Sequence, residues 1–320
     1  MLKQLEVDAL KADLAALGSL LSSTSPEDDP IGFRQFSTRK ARIEQQLAEV
    51  IGAPARAASI GLFFGGRPVR GSHGIVADFG ARAIESFQGV VATRRASRLG
   101  PVASHGQVRQ RANSQMLITD VVRGSFGFVL EEAGGGSDES SDLQEVLTEV
   151  ADLLYRASDQ SQAVFEEVAD AVDSRMLRSM QSFFKLLDDN DATMRLVEDG
   201  FDVLLDKDDV RRARERVDSI SLQENTKVFR GILYAIPHSK KFEILQQGGT
   251  IIKGTISPEG LASLQADGQD FGAGVLGTWC NVEIAIKEVR LRGQAPRFSY
   301  RLTKVLSGGA KAPEEAETLT

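Results

Sequence analysis

The stretch from Asn225 to Leu306 constrains the fold most, because it contains the most regular succession of β-prone runs in the chain. Three apolar, β-rich runs are followed by a short helical piece and then by two longer β-rich runs. The order strand, strand, strand, helix, strand, strand is typical of a small closed barrel of the OB type. We therefore predict a C-terminal small β-barrel with OB-like strand order over residues 221–306. The predicted segments are Val228–Ile236, Lys241–Gln246, Thr250–Ile256, Pro258–Ala266, Asn281–Leu291 and Arg297–Val305.

Residues 1–54 are predicted to form an N-terminal helical hairpin. Apolar residues recur at a spacing of three to four from Met1 to Ser22, and a second helix is expected over Gly32–Ile51 after a breaker-rich turn. The apolar stripe of such a hairpin must be buried, either against the body of the same chain or against a second copy. The candidate residues for self-association are Leu10, Leu14, Leu17 and Leu21.

The middle of the chain divides into a mixed module, a linker and an acidic segment. Residues 55–133 are predicted as a ββαββ module, with a first hairpin that turns at a Gly-Gly pair. Residues 134–142 are rich in Gly and Ser and are interpreted as a flexible linker. Residues 143–220 are expected to form an acidic helical segment with a small hairpin, and residues 307–320 a disordered acidic tail. The predicted fold class is α+β.

The net charge of −7 hides a division along the chain. Residues 55–130 carry ten Lys or Arg against three Asp or Glu, residues 131–220 carry ten against twenty-four, and residues 221–306 carry eleven against seven. The two β-rich regions are therefore basic, and the helical segment between them is acidic. This pattern indicates either a surface for a polyanion or an electrostatic match within the chain, unless the acidic helices are only solvated.

Two groups of basic residues are candidates for contact with nucleic-acid phosphates. One group lies at the end of a predicted helix and in the loop after it, and the other lies on the barrel. Phe298 and Tyr300 share one strand face, which fits a buried row as well as a platform on which bases stack. The candidate nucleic-acid-binding residues are Arg94, Arg95, Arg98, Arg109, Arg111, Lys240, Lys241, Arg290 and Arg292.

No pattern in the sequence defines a catalytic residue, a cofactor site or a metal site. The glycine-containing stretch Gly71–Gly74 matches neither phosphate-loop pattern, so we interpret its glycines as turn residues. Asp206, Asp208 and Asp209 precede a predicted helix and are interpreted as caps of its first turn. The only cysteine, Cys280, supports neither an internal disulfide nor a Cys-based zinc site.

These observations predict a non-enzymatic cytoplasmic assembly or adaptor protein that acts through protein–protein contacts and self-association. No membrane contact is expected, because the chain has no run of ~18 apolar residues and its N-terminus lacks a signal peptide's apolar core. The alternative is a nucleic-acid-binding accessory protein of DNA maintenance or defence machinery that uses the basic barrel and the arginine-rich loop. A third hypothesis is an enzyme whose site sequence patterns do not reveal.

Overall fold

A computed structural model describes residues 3–52, 57–99, 114–122, 126–133, 140–198, 200–265 and 276–310. The chain forms two compact units. The first comprises the described parts of Met1–Ala96, Gly106–Val168 and Met176–Val217, and the second those of Ser97–His105, Ala169–Arg175 and Asp218–Thr320. Helices and strands are mixed along the chain, so the predicted α+β class is confirmed.

The elements that precede the barrel are named in chain order. The helices are α1 (Lys3–Ser23), α2 (Pro30–Gly52), α3 (Ala77–Leu99), α4 (Ser140–Ser158), α5 (Gln162–Ala171), α6 (Ser174–Asp189) and α7 (Lys207–Ser219). The strands are β1 (Ser59–Gly66), β2 (Val69–Arg70), β3 (Gly74–Ile75), β4 (Met116–Val122), β5 (Phe126–Glu132), β6 (Ala192–Glu198) and β7 (Phe201–Leu205).

One five-stranded antiparallel sheet, in the order β4-β5-β1-β6-β7, organises the first unit. Strand β1 is central, because β5 pairs with one of its edges and β6 with the other. Every residue from Ile60 to Phe64 is buried. A strand covered on both faces reads as a continuous apolar run, which is the pattern of β1.

The core of this unit also depends on α6, whose apolar residues recur at the three-to-four spacing of an amphipathic helix. The Phe183 ring lies 6.1 Å from the Phe87 ring of α3 and 6.0 Å from the Phe184 ring, and all three side chains are fully buried. The buried residues of α6 are Met176, Leu177, Met180, Phe183, Phe184 and Leu187.

The sheet of the first unit differs from the predicted separate ββαββ module of residues 55–133. Strands β6 and β7 complete it, and both come from the predicted acidic segment of residues 143–220. The sequence pattern identifies β1 as a strand, but a strand's period does not say which distant strand pairs with each edge. The predicted first hairpin is also wrong, because β2 pairs with β3 and not with β1. Gly66 ends β1 with a φ of +80°, which favours glycine, and an added Cβ there would lie 2.1 Å from the Asp191 carbonyl oxygen.

Helices α1 and α2 form the expected helical hairpin, and the sequence explains how α2 begins. Pro30 opens α2 at its first position, where a missing N–H costs nothing. The Asp29 carboxylate accepts a hydrogen bond of 2.8 Å from the Gly32 N–H, which caps the first turn. Buried residues on both helices, Leu17 on α1 and Ile43 on α2, show that the apolar stripe is at least partly covered within the chain.

The second unit contains the predicted small closed barrel, which the structure confirms. Its strands close in the order β10-β12-β11-β8-β9, with β9 paired to β10. The pairs are antiparallel except for β10 with β12, which is parallel. Buried apolar side chains such as Leu233, Phe242 and Ile244 fill the interior. The elements are β8 (Ile220–Ile236), β9 (Lys241–Gln246), β10 (Ile251–Ile256), α8 (Pro258–Gln265), β11 (Trp279–Leu291) and β12 (Arg297–Ala310).

Strands β8, β11 and β12 extend beyond the part of the barrel that β9 and β10 close. Strand β9 pairs with β8 only over Gly231–Ile236, and the pairing of β10 with β12 is recorded only at Thr255 and Ile256. Strand β11 pairs with β8 down to Ile220 and with β12 down to Arg297. The three strands therefore continue as a three-stranded sheet beyond the barrel. We call this the sheet extension, and it comprises Ile220–Lys227, Ala285–Leu291 and Arg297–Tyr300.

Two predicted flexible segments lie mostly outside the described residues. Of the predicted linker 134–142, residues 134–139 are outside, and residues 140–142 belong to α4. Of the predicted tail 307–320, residues 311–320 are outside. Residues 307–310 instead belong to β12, because its end pairs with the start of β11 at Trp279 and Cys280.

Candidate binding surfaces of the barrel unit

Two of the arginines predicted at the end of α3, Arg94 and Arg95, are engaged within the first unit. The Arg94 Nε lies 2.7 Å from a Glu149 carboxylate oxygen of α4, and the Arg95 Nε lies 3.2 Å from an Asp142 carboxylate oxygen of the same helix. Both guanidinium side chains are largely covered. These pairs support an electrostatic match within the chain. Arg98 lies in the last turn of α3, and Arg109 and Arg111 lie outside the described residues.

Asp206, which precedes α7, and Asp209, in its first turn, act as caps in the structure. The Asp206 Oδ1 accepts hydrogen bonds of 2.9 Å from the N–H groups of Asp208 and Asp209, and Asp209 Oδ2 accepts one of 3.1 Å from the Asp206 N–H. These backbone hydrogen bonds, of which the one from Asp209 has the largest effect, hold the pKa of Asp206 below its usual value. The arrangement is a reciprocal N-terminal cap, so these carboxylates have a structural role in the first turn of α7.

The leucines predicted for self-association lie in the N-terminal hairpin. Leu17 is only 4% exposed and packs within the chain. Leu10, Leu14 and Leu21 are half-buried. Self-association through these residues stays a prediction, and the burial of Leu17 weakens the case for that residue as a contact between copies.

The outer surface of the barrel over β8, β9 and β10 is a candidate binding face. Because Leu233, Ile244 and Ile252 point into the core, the alternating residues on each strand point outward. The registers of β8 with β9 and of β9 with β10 arrange these outward residues in cross-strand rows. We call this surface the barrel face. Its rows are Ile236–Lys241–Thr255, Tyr234–Glu243–Lys253 and Ile232–Leu245–Ile251.

The barrel face carries apolar side chains along β8 and along its third row, and Glu243 lies at its centre. Tyr234 is 50% exposed, Ile236 is 63% exposed and Ile251 is 52% exposed. Among its charged residues Glu243 is paired with Lys253 at 2.8 Å. The first row continues from Thr255 to Arg301 of β12, which is exposed. Exposed apolar side chains that cluster in this way mark a contact surface more often than scattered ones do. The cations on or beside the face are Arg230, Lys240, Lys241, Lys253 and Arg301.

The sheet extension has an outer side that the chain itself occupies. The Lys287 ammonium donates hydrogen bonds of 3.1, 2.7 and 2.5 Å to the carbonyl oxygens of Ala169, Asp170 and Val172. Glu224 accepts a hydrogen bond of 2.9 Å from the Ser174 hydroxyl. Burial lowers the pKa of Lys287, and neighbouring acids oppose that change. Lys287 therefore binds the carbonyls at a helix end, which is a structural role.

The inner side of the extension continues the barrel's interior face past its rim. Phe298 and Tyr300 project on this side, because they lie four and two residues from the core residue Leu302 on β12, and alternate residues of a strand share one face. Phe298 is 52% exposed, whereas Tyr300 is half-buried against the barrel core. The partners across β11 are Glu288 for Phe298 and Ile286 for Tyr300, and these in turn pair with Gln223 and Asn225 of β8. We call this inner side the aromatic platform.

The four basic residues predicted on the barrel do not form one cluster. Lys240 and Lys241 border β9, and the Lys240 carbonyl accepts a hydrogen bond of 2.7 Å from Ile256 N–H. Arg290 lies opposite Ser221, near the start of β8, and is paired with Glu288. Arg292 is exposed in the turn between β11 and β12. The first pair therefore belongs to the border of the barrel face and the second pair to that of the aromatic platform.

Cys280 is a core residue of the barrel and we expect it to be unreactive. Its side chain is buried and its Sγ lies 3.6 Å from the Gly231 carbonyl oxygen. Burial raises the pKa of the Cys280 thiol from 9.0 to about 11. The thiolate is the reactive form, so near pH 8 the reactive fraction falls from about a tenth in the unfolded chain to about a thousandth in the folded chain.

We therefore expect iodoacetamide to alkylate Cys280 in the native protein at least about 100-fold more slowly than in the urea-unfolded protein. Mass spectrometry of timed samples measures both rates. Equal rates would contradict the burial of this thiol. A slow native reaction that accelerates steeply from pH 9 upward is the expected profile of a thiol with a raised pKa.

The sequence analysis names Lys241 and Phe298, but it does not identify the surfaces to which they belong. The sequence places Ile236 and Ile251 on predicted strands but does not define which face of the barrel they occupy. Alternation from a known core residue places both on the outer face. The extension was missed because residues 221–227 are mostly polar and exposed on β8. A polar strand without alternation carries no periodic signal.

Within the described ranges, no group of three or more His, Cys, Asp or Glu residues is arranged to hold a metal ion. None of the helices that the structure describes has the length and apolar content to cross a membrane. The chain matches no protein-family model, no curated protein and no solved structure among those compared with it. The two surfaces of the barrel unit are therefore the candidate functional sites.

Proposed function

We propose that this chain is a non-enzymatic adaptor protein whose barrel face holds a segment of a partner protein. The observation that carries the proposal is the apolar band on one face of a closed barrel, which runs from the exposed Ile236 and Tyr234 on β8 to the exposed Ile251 on β10. Aliphatic side chains gain free energy when another protein removes them from water, and they offer nothing to an ion or a sugar phosphate. The strand order, with the helix between the third and fourth strands, supports the OB type of barrel, which is a scaffold for binding.

The charges around the barrel face define the chemistry of the partner. Its border carries Lys241, Arg301 and Arg230, while Glu243 is already paired with Lys253. A second copy of this face would bring like charges together, which costs free energy. The proposed occupant is therefore a segment of a different protein, with apolar residues that cover this band and Asp or Glu residues that meet the cations beside it. Self-association through the N-terminal hairpin is a separate part of the adaptor hypothesis and does not involve this face.

The test uses a displayed library of random peptides, selected on the immobilised full-length protein. We expect the enriched peptides to combine apolar residues with Asp or Glu. Tyr234→Ala should then weaken a selected peptide by roughly 30-fold or more, because a buried aromatic at the centre of an interface commonly contributes 2 kcal/mol or more. Fluorescence anisotropy of the labelled peptide measures this affinity.

The matched control is Leu204→Ala, which removes an equally exposed apolar side chain from β7 in the first unit. The control should leave peptide affinity unchanged. Enriched peptides without acidic residues would contradict the assigned partner chemistry. Peptide binding that survives Tyr234→Ala, or that is lost with Leu204→Ala, would place the binding surface elsewhere and end the proposal.

A further inference from the structure

The aromatic platform and the barrel face differ in chemistry, although they belong to the same barrel unit. The barrel face presents mainly Ile and Leu side chains around Tyr234. The platform presents the exposed ring of Phe298 with Tyr300 two residues away on the same side of β12. Residues two apart on a strand are about 6.8 Å apart, so the two rings offer successive contacts along the strand.

The side chains of β8 beside the platform are polar. Gln223 and Asn225 are exposed on the same side of β8 as the rings, each across one residue of β11. Amide side chains both donate and accept hydrogen bonds, which suits the edges of unpaired bases. A protein partner would find few apolar atoms here beyond the two rings and Ile286.

The charge at the border of the platform is positive. Lys227 is exposed at the rim of the barrel, and Arg292 is exposed in the turn beyond β11. The Arg290 guanidinium stays more than half exposed, although it is paired with Glu288. Three cations against one carboxylate favour an anionic ligand. The opposite side of the extension is unavailable, because Lys287 and Glu224 bind the chain's own residues 169–174 there.

We infer that the aromatic platform binds single-stranded nucleic acid by stacking bases on Phe298 and Tyr300 while Lys227, Arg290 and Arg292 contact phosphates. Stacking on aromatic rings beside a basic border is the common mode of single-strand binding and tolerates any base sequence. A duplex keeps its bases paired and stacked on one another, so it offers the rings nothing and binds more weakly. This inference is independent of the barrel face and of its protein partner.

The test is fluorescence anisotropy of the full-length protein with a labelled single-stranded oligonucleotide and with the same sequence as a duplex. We expect the single strand to bind more tightly, with an affinity that falls as salt rises. Phe298→Ala should weaken single-strand binding by roughly 5- to 100-fold, which is the effect of losing one stacked base. Tyr234→Ala is the matched control, because Tyr234 is an equally exposed aromatic on the barrel face.

A second variant separates loss of stacking from loss of folding. Phe298→Trp keeps a stacking ring, so it should retain the affinity, and its added indole fluorescence should fall when the single strand binds. Equal binding by Phe298→Ala and the unchanged protein would overturn the inference, as would equal affinity for duplex or loss of binding in Tyr234→Ala. Loss of a selected peptide in Phe298→Ala, with no oligonucleotide binding, would assign the platform to the protein site instead.

Discussion

Gly254→Val is expected to lower the free energy of unfolding of the barrel unit by about 3 kcal/mol or more. A Cβ at this position would lie 2.1 Å from the Tyr300 carbonyl oxygen and 2.8 Å from a Phe242 ring carbon. The first contact is with backbone, so no side-chain rotation relieves it. Strand β10 pairs with β12 only at Thr255 and Ile256, so few backbone hydrogen bonds oppose the separation of these strands. The substitution would therefore separate β10 from β12, the two strands whose pairing closes the barrel.

Urea unfolding followed by the fluorescence of Trp279 measures this effect, because the only tryptophan lies on β11 of the barrel unit. Thr255→Val is the matched control, since it places the same side chain on the next residue of β10, where the side chain is exposed. The control should stay within about 0.5 kcal/mol of the unchanged protein. Equal unfolding midpoints for the two variants would contradict the close contact of β10 with β12.

Phe183→Ala is expected to lower the free energy of unfolding of the first unit by about 3–5 kcal/mol. The ring is fully buried and contacts the rings of Phe87 on α3 and of Phe184, its neighbour on α6. Its removal leaves a cavity that neighbouring helices fill only in part, because their own side chains are already packed. Far-ultraviolet circular dichroism follows the loss of helix, and all but one of the described α-helices precede the barrel, so it reports the transition of this unit.

The control for this substitution is Phe298→Ala, which removes the same ring from an exposed position. It should change the free energy of unfolding by no more than about 0.5 kcal/mol. That result also establishes that a loss of oligonucleotide binding in Phe298→Ala comes from the missing ring. A small effect of Phe183→Ala on the circular-dichroism transition would show that the packing between α3 and α6 is looser than the buried rings indicate.

Basic residues have different roles in the two units. In the first unit, Arg94 and Arg95 are paired with Glu149 and Asp142, so part of the charge division is an internal match. On the barrel, exposed cations such as Lys241 and Arg292 border surfaces that face solvent. A count of charges along the sequence cannot separate these uses, because the count contains no information about which charges meet.

The site could be predicted only in part for the same reason. Phe298 and Tyr300 were recognisable as one strand face, because alternation is a local property. Whether that face was buried or open depended on where β9 and β10 stop pairing with the longer strands β8 and β12. The exposed Phe298 follows from that difference in strand length, which no local pattern records.

The sequence by itself determined the α+β class, the helical hairpin at the N-terminus and the small closed barrel at the C-terminus. Each of these follows from the spacing of apolar residues and from turn residues within a short window. Only the tertiary structure decided that β6 pairs with β1 across more than a hundred residues, and that three barrel strands extend into a platform. Pairing between distant strands depends on the packing of the whole unit, because every exposed strand edge offers the same backbone donors and acceptors to any partner.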